Sequence, residues 1–192
     1  MTVDVTKGAS IALTKEGSDL TRVTVGLGWD PAPRGSEEDF DLDASALALR
    51  ADGRIVSRDY FVFFNNLSST HSEITHRGDS LTGEGDGDNE QIDVQLDALP
   101  PTVERVVFAV TIHNADYRRQ DFGHVQRAFI RVVDAVRGVQ LARYDLTTDA
   151  ATDTAMLFGE LYRDDRGWHF RALGQGRHDG LAGIARQFGF DV

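Results

Sequence analysis

Apolar and polar residues alternate along much of the chain. In residues 21–29 the apolar positions are Val23, Val25, Leu27 and Trp29, and a period of two places them on one face of a half-buried strand. Residues 92–96, Ile-Asp-Val-Gln-Leu, repeat the pattern. Residues 44–49 and 60–64 are apolar runs of strand length, which predicts strands covered on both faces. β-branched and aromatic residues recur at 106–112, 129–133, 140–146, 156–162 and 168–173, and Asp52-Gly53, Arg137-Gly138 and Arg166-Gly167 supply turn chemistry between segments. Helical spacing is confined to residues 181–188, closed by Gly189, and a turn or two within residues 120–128. About nine or ten short strands in a chain of this length predict an all-β fold. The expected architecture is a single-domain β-sandwich over residues 1–192, built from two mainly antiparallel sheets with one or two short helices.

Composition narrows the function. The 192 residues include no cysteine, so a disulfide framework, a thiolate metal site and a cysteine nucleophile are all excluded. Any metal ligands must be oxygens or imidazoles. The net charge of −11 argues against nucleic acid, whose phosphates are bound by concentrated Lys and Arg. No run approaches the length of a membrane span, and the start of the chain lacks the basic and apolar regions of a secretory signal. A cytoplasmic protein without a transmembrane segment is expected.

The charge is concentrated. Asp30, Glu37, Glu38, Asp39, Asp41 and Asp43 stand against one Arg34, and Asp79, Glu84, Asp86, Asp88, Glu90 and Asp93 against no base at all, while the rest of the chain is neutral overall. In the first segment a period of two would set the carboxylates of Asp39, Asp41 and Asp43 on one side of a strand entrance. In the second, residues 78–90, four glycines are interleaved with the acids. Glycine lets the backbone wrap and present carbonyls, and carboxylates are hard oxygens; calcium takes about six to eight such ligands. Neither segment holds the imidazole that zinc or copper would favour. Neither fits an EF-hand, since Ala44 or Gln91 falls where that loop needs glycine. The expected site is therefore assembled by two or more loops at one end of the sandwich, with the Asn65-Asn66 pair as a further contributor. Solvated acidic turns are the competing reading of the same residues.

These segments also carry a resemblance. Residues 23–30 (VTVGLGWD), 39–45 (DFDLDAS), 61–67 (FVFFNNL) and 78–90 (GDSLTGEGDGDNE), followed by 111–116 (TIHNAD), 128–133 (AFIRVV), 141–146 (LARYDL) and 158–163 (FGELYR), resemble the TerD family of tellurium-resistance and stress proteins in order along nearly the whole chain. The resemblance implies a calcium-binding cytoplasmic β-sandwich, associated with tellurite resistance, holding about two Ca2+ ions. Carried over motif by motif, it makes Asp41, Asp43, Asp79, Asp88 and Glu90 metal ligands, with Asp30, Asn65, Asn66, Gly83 (through its carbonyl), Glu84 and Asp86 as lesser candidates. Ser80 stands where the family has Asn and Asn89 where it has Asp, which removes one carboxylate.

A binding module is thus expected rather than an enzyme. His113 and Asp116 lie together, but no nucleophile accompanies them in a recognisable arrangement. The alternatives are a metal-dependent enzyme acting on a phosphorylated or oxyanion substrate and a cyclic-nucleotide-binding module. Protein partners of a stress complex, or a calcium-bridged peripheral membrane contact, complete the range. The arginines at 127, 131, 137 and 143 read as a solvated face, with an anion-contacting surface as the other reading. Absence of cysteine also denies the chain thiol capture or reduction of tellurite.

Overall fold

In the computed structural model, residues 2–14, 19–31, 39–78, 80–82, 87–146 and 152–190 are described. They form β1 (Val3–Asp4), β2 (Ser10–Ala12), β3 (Arg22–Gly28), β4 (Leu42–Leu49), β5 (Phe61–Val62), β6 (Ile74–His76), β7 (Glu90–Gln95), β8 (Arg105–Ile112), β9 (Phe129–Asp134), β10 (Val139–Asp145), β11 (Ala155–Asp164) and β12 (Gly167–Arg177), with helices α1 (Ala115–Arg118) and α2 (Gly180–Gln187). One sheet runs β1-β10-β9-β3-β7-β6 and the other β2-β12-β11-β8-β4-β5. All pairings are antiparallel except β1 with β10. The fold is the all-β sandwich that the alternation predicts.

Its core follows from the same alternation. Val25 and Leu27 of β3, Ile92 of β7 and Ile130 of β9 meet Ala44 of β4, Phe108 and Val110 of β8 and Phe158 of β11 around one small gap between the sheets. The run at 44–49 is buried on both sides, as expected, because the second sheet is covered outside as well. There α2 packs on β8 and β11, and Phe61 stacks on Phe63 and meets the edge of Phe190. Gly53, Gly138 and Gly167, the glycines of the three predicted turns, all have positive φ, which side chains disfavour.

Two local readings are corrected. Residues 60–64 do not form one strand: a 3-10 turn (Arg58–Tyr60) precedes a two-residue strand, and Phe63 then turns back on Asn66 through paired backbone hydrogen bonds. Residues 120–128 hold a turn at 122–124, as read from the sequence, and a further short helix lies earlier, at α1. Asp39 precedes β4 and is exposed, so the row of three carboxylates reduces to Asp41 and Asp43.

The outermost strands are two or three residues long. On one side both belong to the N-terminal segment, where β1 caps β10 and β2 caps β12.

Candidate functional site

The two acidic segments meet at one end of the sandwich. Trp29, at the end of β3, joins them: its indole Nε1–H donates to the Phe40 carbonyl at 3.1 Å, and its backbone N–H donates to Asn89 Oδ1 at 2.9 Å. Asn89 thus closes the end of β3, with its own N–H on the Leu27 carbonyl. Its amide serves a structural bond that a carboxylate oxygen could equally accept.

Glu90, the first residue of β7, makes the second junction. Its side chain points between the sheets, 2% exposed. Because β5 pairs only with Ala46 and Leu47 of β4, the Ala44 N–H has no β5 carbonyl opposite it, and Glu90 Oε2 accepts it at 2.6 Å. Glu90 Oε1 accepts the Ser80 N–H at 3.2 Å, and His76 Nε2 lies 3.4 Å from Oε2. One carboxylate therefore links the sheets and ties the start of the glycine-rich segment to its end. His76 lies outside both acidic segments, and β6, being three residues long, gives no periodicity by which to place it.

Asp41 and Asp43 are 5% and 6% exposed. The Asp41 carbonyl accepts the His113 N–H at 2.8 Å. The Asp43 carboxylate faces outward from the second sheet, 3.6 Å from His113 Nδ1, on the wall of a cleft of about 530 Å³. Across that cleft stand Tyr117, Thr154, His178 and Asp179 at the start of α2. His178 is itself 3.3 Å from Asp153, and the Arg177 guanidinium holds the Asp179 carboxyl below the usual carboxylate range. Asp43, Asp116 and Asp179 line the cleft without a lysine or arginine among its lining residues.

Other predicted ligands are already engaged. Asp88 accepts Arg131 Nε–H at 2.7 Å and Gln91 Nε2–H at 3.1 Å, one on each carboxylate oxygen. It lies on the outer face of the first sheet. Asp30 accepts Arg127 Nε–H at 2.6 Å. Asn66 donates its amide to the carbonyls of Asp59 and Phe61 and so closes a turn, while Asn65 is exposed. Asp79, Gly83, Glu84 and Asp86 lie outside the described residues. Among the described residues, no three His, Asp or Glu side chains converge as a ligand set for one metal ion.

The arginine face is likewise neutralised. Arg127 pairs with Asp30, Arg131 with Asp88, Arg137 with Asp19 and Asp134, and Arg143 with Asp145. Arg143 also covers the Phe129 ring at 3.7 Å. The arginines form a solvated face, as the first sequence reading has it, and each is salt-bridged, with carboxylates from both acidic segments among the partners.

In donor type the acidic end fits a hard cation. Asp41, Asp43 and Glu90 bring carboxylate oxygens from both sheets, and the glycine-rich segment begins and ends at Glu90. His76 beside Glu90, and the pairing of His113 with Asp43 rather than with Asp116 alone, were not legible because these groups are close only in space.

A profile of the TerD domain matches residues 1–188. The chain is 50% identical over all 192 residues, and over the whole of the relative, to tellurium resistance protein TerD of Serratia marcescens. It is 43% identical, again over the full length of both, to general stress protein 16U of Bacillus subtilis. A crystal structure of a homologue of telluride resistance protein TerD from Streptomyces coelicolor superposes with a TM-score of 0.71 at 30% identity, covering 86% of this chain and 95% of that one.

Proposed function

The chain belongs to the TerD family of tellurium-resistance and stress-response proteins, and on that premise we propose that it is a calcium-binding module whose acidic end is ordered by the ion. The observation that carries this reading is the reach of Glu90 from the first sheet to the Ala44 amide of the second. It brings the end of the glycine-rich segment beside the strand that bears Asp41 and Asp43, so two acidic segments distant in sequence share one end of the molecule. Asp43 on the outer face of the second sheet and Glu90 between the sheets would serve different ions of about two in all, with Asp41, Asp79, Glu84, Asp86 and the Gly83 carbonyl completing the two ligand sets. Asp30 and Asp88, each committed to an arginine, contribute to the frame instead. Calcium would offset the mutual repulsion of the carboxylates and fix the loops; the protein's own groups hold the strand ends at the spacing the loops need. With no cysteine in the chain, thiol capture or reduction of tellurite is not open to this protein.

Calorimetric titration of chelator-treated protein tests the reading. Calcium should bind with measurable heat and stabilise the fold by about 2.7 kcal/mol per site at a hundredfold excess over Kd. Asp41→Asn and Glu90→Gln should each weaken binding. No heat and no rise in Tm with calcium would overturn it.

A second reading, a metal-assisted hydrolase, rests on the outer cleft, which is lined by His113 beside Asp43 and by His178 beside Asp153. Its described lining disfavours a phosphorylated ligand or cyclic nucleotide, because it includes Asp43, Asp116 and Asp179 and no lysine or arginine, and the nearby Arg177 guanidinium is already taken by Asp179. Turnover of a phosphate ester, lost in His113→Ala, would favour this reading over the binding module.

A further inference from the structure

The His76 ring is 3% exposed, and its Nε2 is a buried nitrogen with no hydrogen bond of full geometry, set 3.4 Å from Glu90 Oε2. Its other nitrogen, Nδ1, accepts the Gly78 N–H at 3.2 Å. A backbone N–H can only donate, so Nδ1 carries no proton and the neutral ring holds its proton on Nε2, the nitrogen that lies 3.4 Å from Glu90 Oε2. An Nε2 that bears hydrogen presents no lone pair to a metal. The imidazole therefore stands against Glu90 as an N–H group and not as a ligand beside it.

Its place in the fold gives this contact a purpose. His76 is the last residue of β6 and pairs with Ile92 of β7, so residues 77–89 form the connection between these two strands. The ring grips the connection at both ends: Nδ1 holds Gly78, where it departs, and Nε2 addresses Glu90, where it returns. Glu90 in turn holds Ser80. Three contacts thus close the acidic, glycine-rich loop at its neck. They rest on the buried His76 and Glu90 side chains.

We infer that His76 is a positioning residue for the acidic end, fixing the Glu90 carboxylate against the Gly78 and Ser80 amides before any ion arrives. The inference deepens the calcium reading and rests on it for its purpose, but the clasp itself is a property of the protein alone. Outer-shell groups of this kind typically change metal affinity about ten- to a hundredfold when removed.

Two conservative variants separate the functions of the ring. His76→Asn keeps an acceptor near the Nδ1 position for Gly78 but does not reach Glu90. His76→Gln keeps a donor near the Nε2 position. Calcium titration of the full chain should show a loss of about tenfold or more for Asn and a smaller loss for Gln. Nitrogen NMR of the wild-type ring in chelator should show the Nε2–H tautomer. Equal losses in the two variants, or unchanged affinity in both, would overturn the inference, as would an Nδ1–H tautomer. If a variant fails to fold, the wild-type tautomer still decides. If wild-type protein binds no calcium, the calcium reading falls, while the tautomer and slow exchange of the Gly78 and Ser80 amides still decide whether the clasp exists.

Discussion

The carboxylate of Asp88 rests on the bare backbone of Gly26: a Cβ added to that glycine would stand 2.1 Å from Asp88 Oδ2. Gly26 lies between Arg131 of β9 and Gln91 of β7 in register, and those two side chains hold the carboxylate in place. A glycine in mid-strand, ordinarily a weakness, here makes room for a charge from a loop.

Gly26→Ala should therefore be costly. The methyl cannot share the space with the carboxylate, so the Arg131–Asp88 pair must open, and overpacking of this kind costs about 1–3 kcal/mol. Urea unfolding should show that loss in the single variant and a partial recovery in Gly26→Ala with Asp88→Ala. Strict additivity of the two changes would contradict the shared-space account.

Asp88 and Glu90 should separate in their response to calcium. Both oxygens of Asp88 serve Arg131 and Gln91, so Asp88→Asn should lower stability by about 1–3 kcal/mol and leave calcium affinity nearly intact. Glu90→Gln should lower the affinity much more. Paired melting and titration curves check this, and a larger affinity loss for Asp88→Asn would return that residue to the ligand set.

Alkaline stability should depend on Tyr60. Its hydroxyl donates to buried Glu73 at 2.7 Å, and burial, reinforced by that bond and the carboxylate's charge, pushes the phenol up to about 12. A raised folded-state value means a contribution fully present below the unfolded pKa of about 10 and lost as pH rises through about 12. A shift of that size corresponds to about 2–3 kcal/mol at most. Tyr60→Phe should remove this steep alkaline loss, so the stability difference between wild type and variant should narrow from pH 10 to 12.

At the acid limb Glu73 acts in the opposite sense. Burial raises its carboxyl, but bonds from Ser69, Tyr60 and the His71 amide outweigh it and hold the group below its ordinary value. Its contribution is present above the unfolded-state carboxyl range and is lost as pH falls through the lower folded value. Ser69→Ala should shift acid unfolding to higher pH, followed by circular dichroism.

Much of the fold was legible because burial and alternation coincide. Val23, Val25 and Leu27 alternate in sequence because one side of β3 faces the second sheet. The run at 60–64 misled for a physical reason: Phe61 and Phe63 stack on one another outside the second sheet, so apolar character there marks a covering layer and a turn, not a longer strand. Helix α1 is only four residues long and begins after Asn114 at φ 53°, too short to show a period. At the site, the carboxylates could be read from the chain, but their partners could not. Arg127 is 97 residues from Asp30, and Arg131 is 43 from Asp88. The apparent pooling of all excess charge in two segments is thus relieved in space by arginines from the neutral remainder.

The N-terminal segment that supplies β1 to one sheet and β2 to the other also governs solubility. Without residues 3–12, β10 and β12 would both present open backbone donors and acceptors, on the same flank of the molecule. Unpaired edges of that kind template intermolecular strand addition. A few N-terminal residues thus keep two β-edges from acting as seeds for self-association.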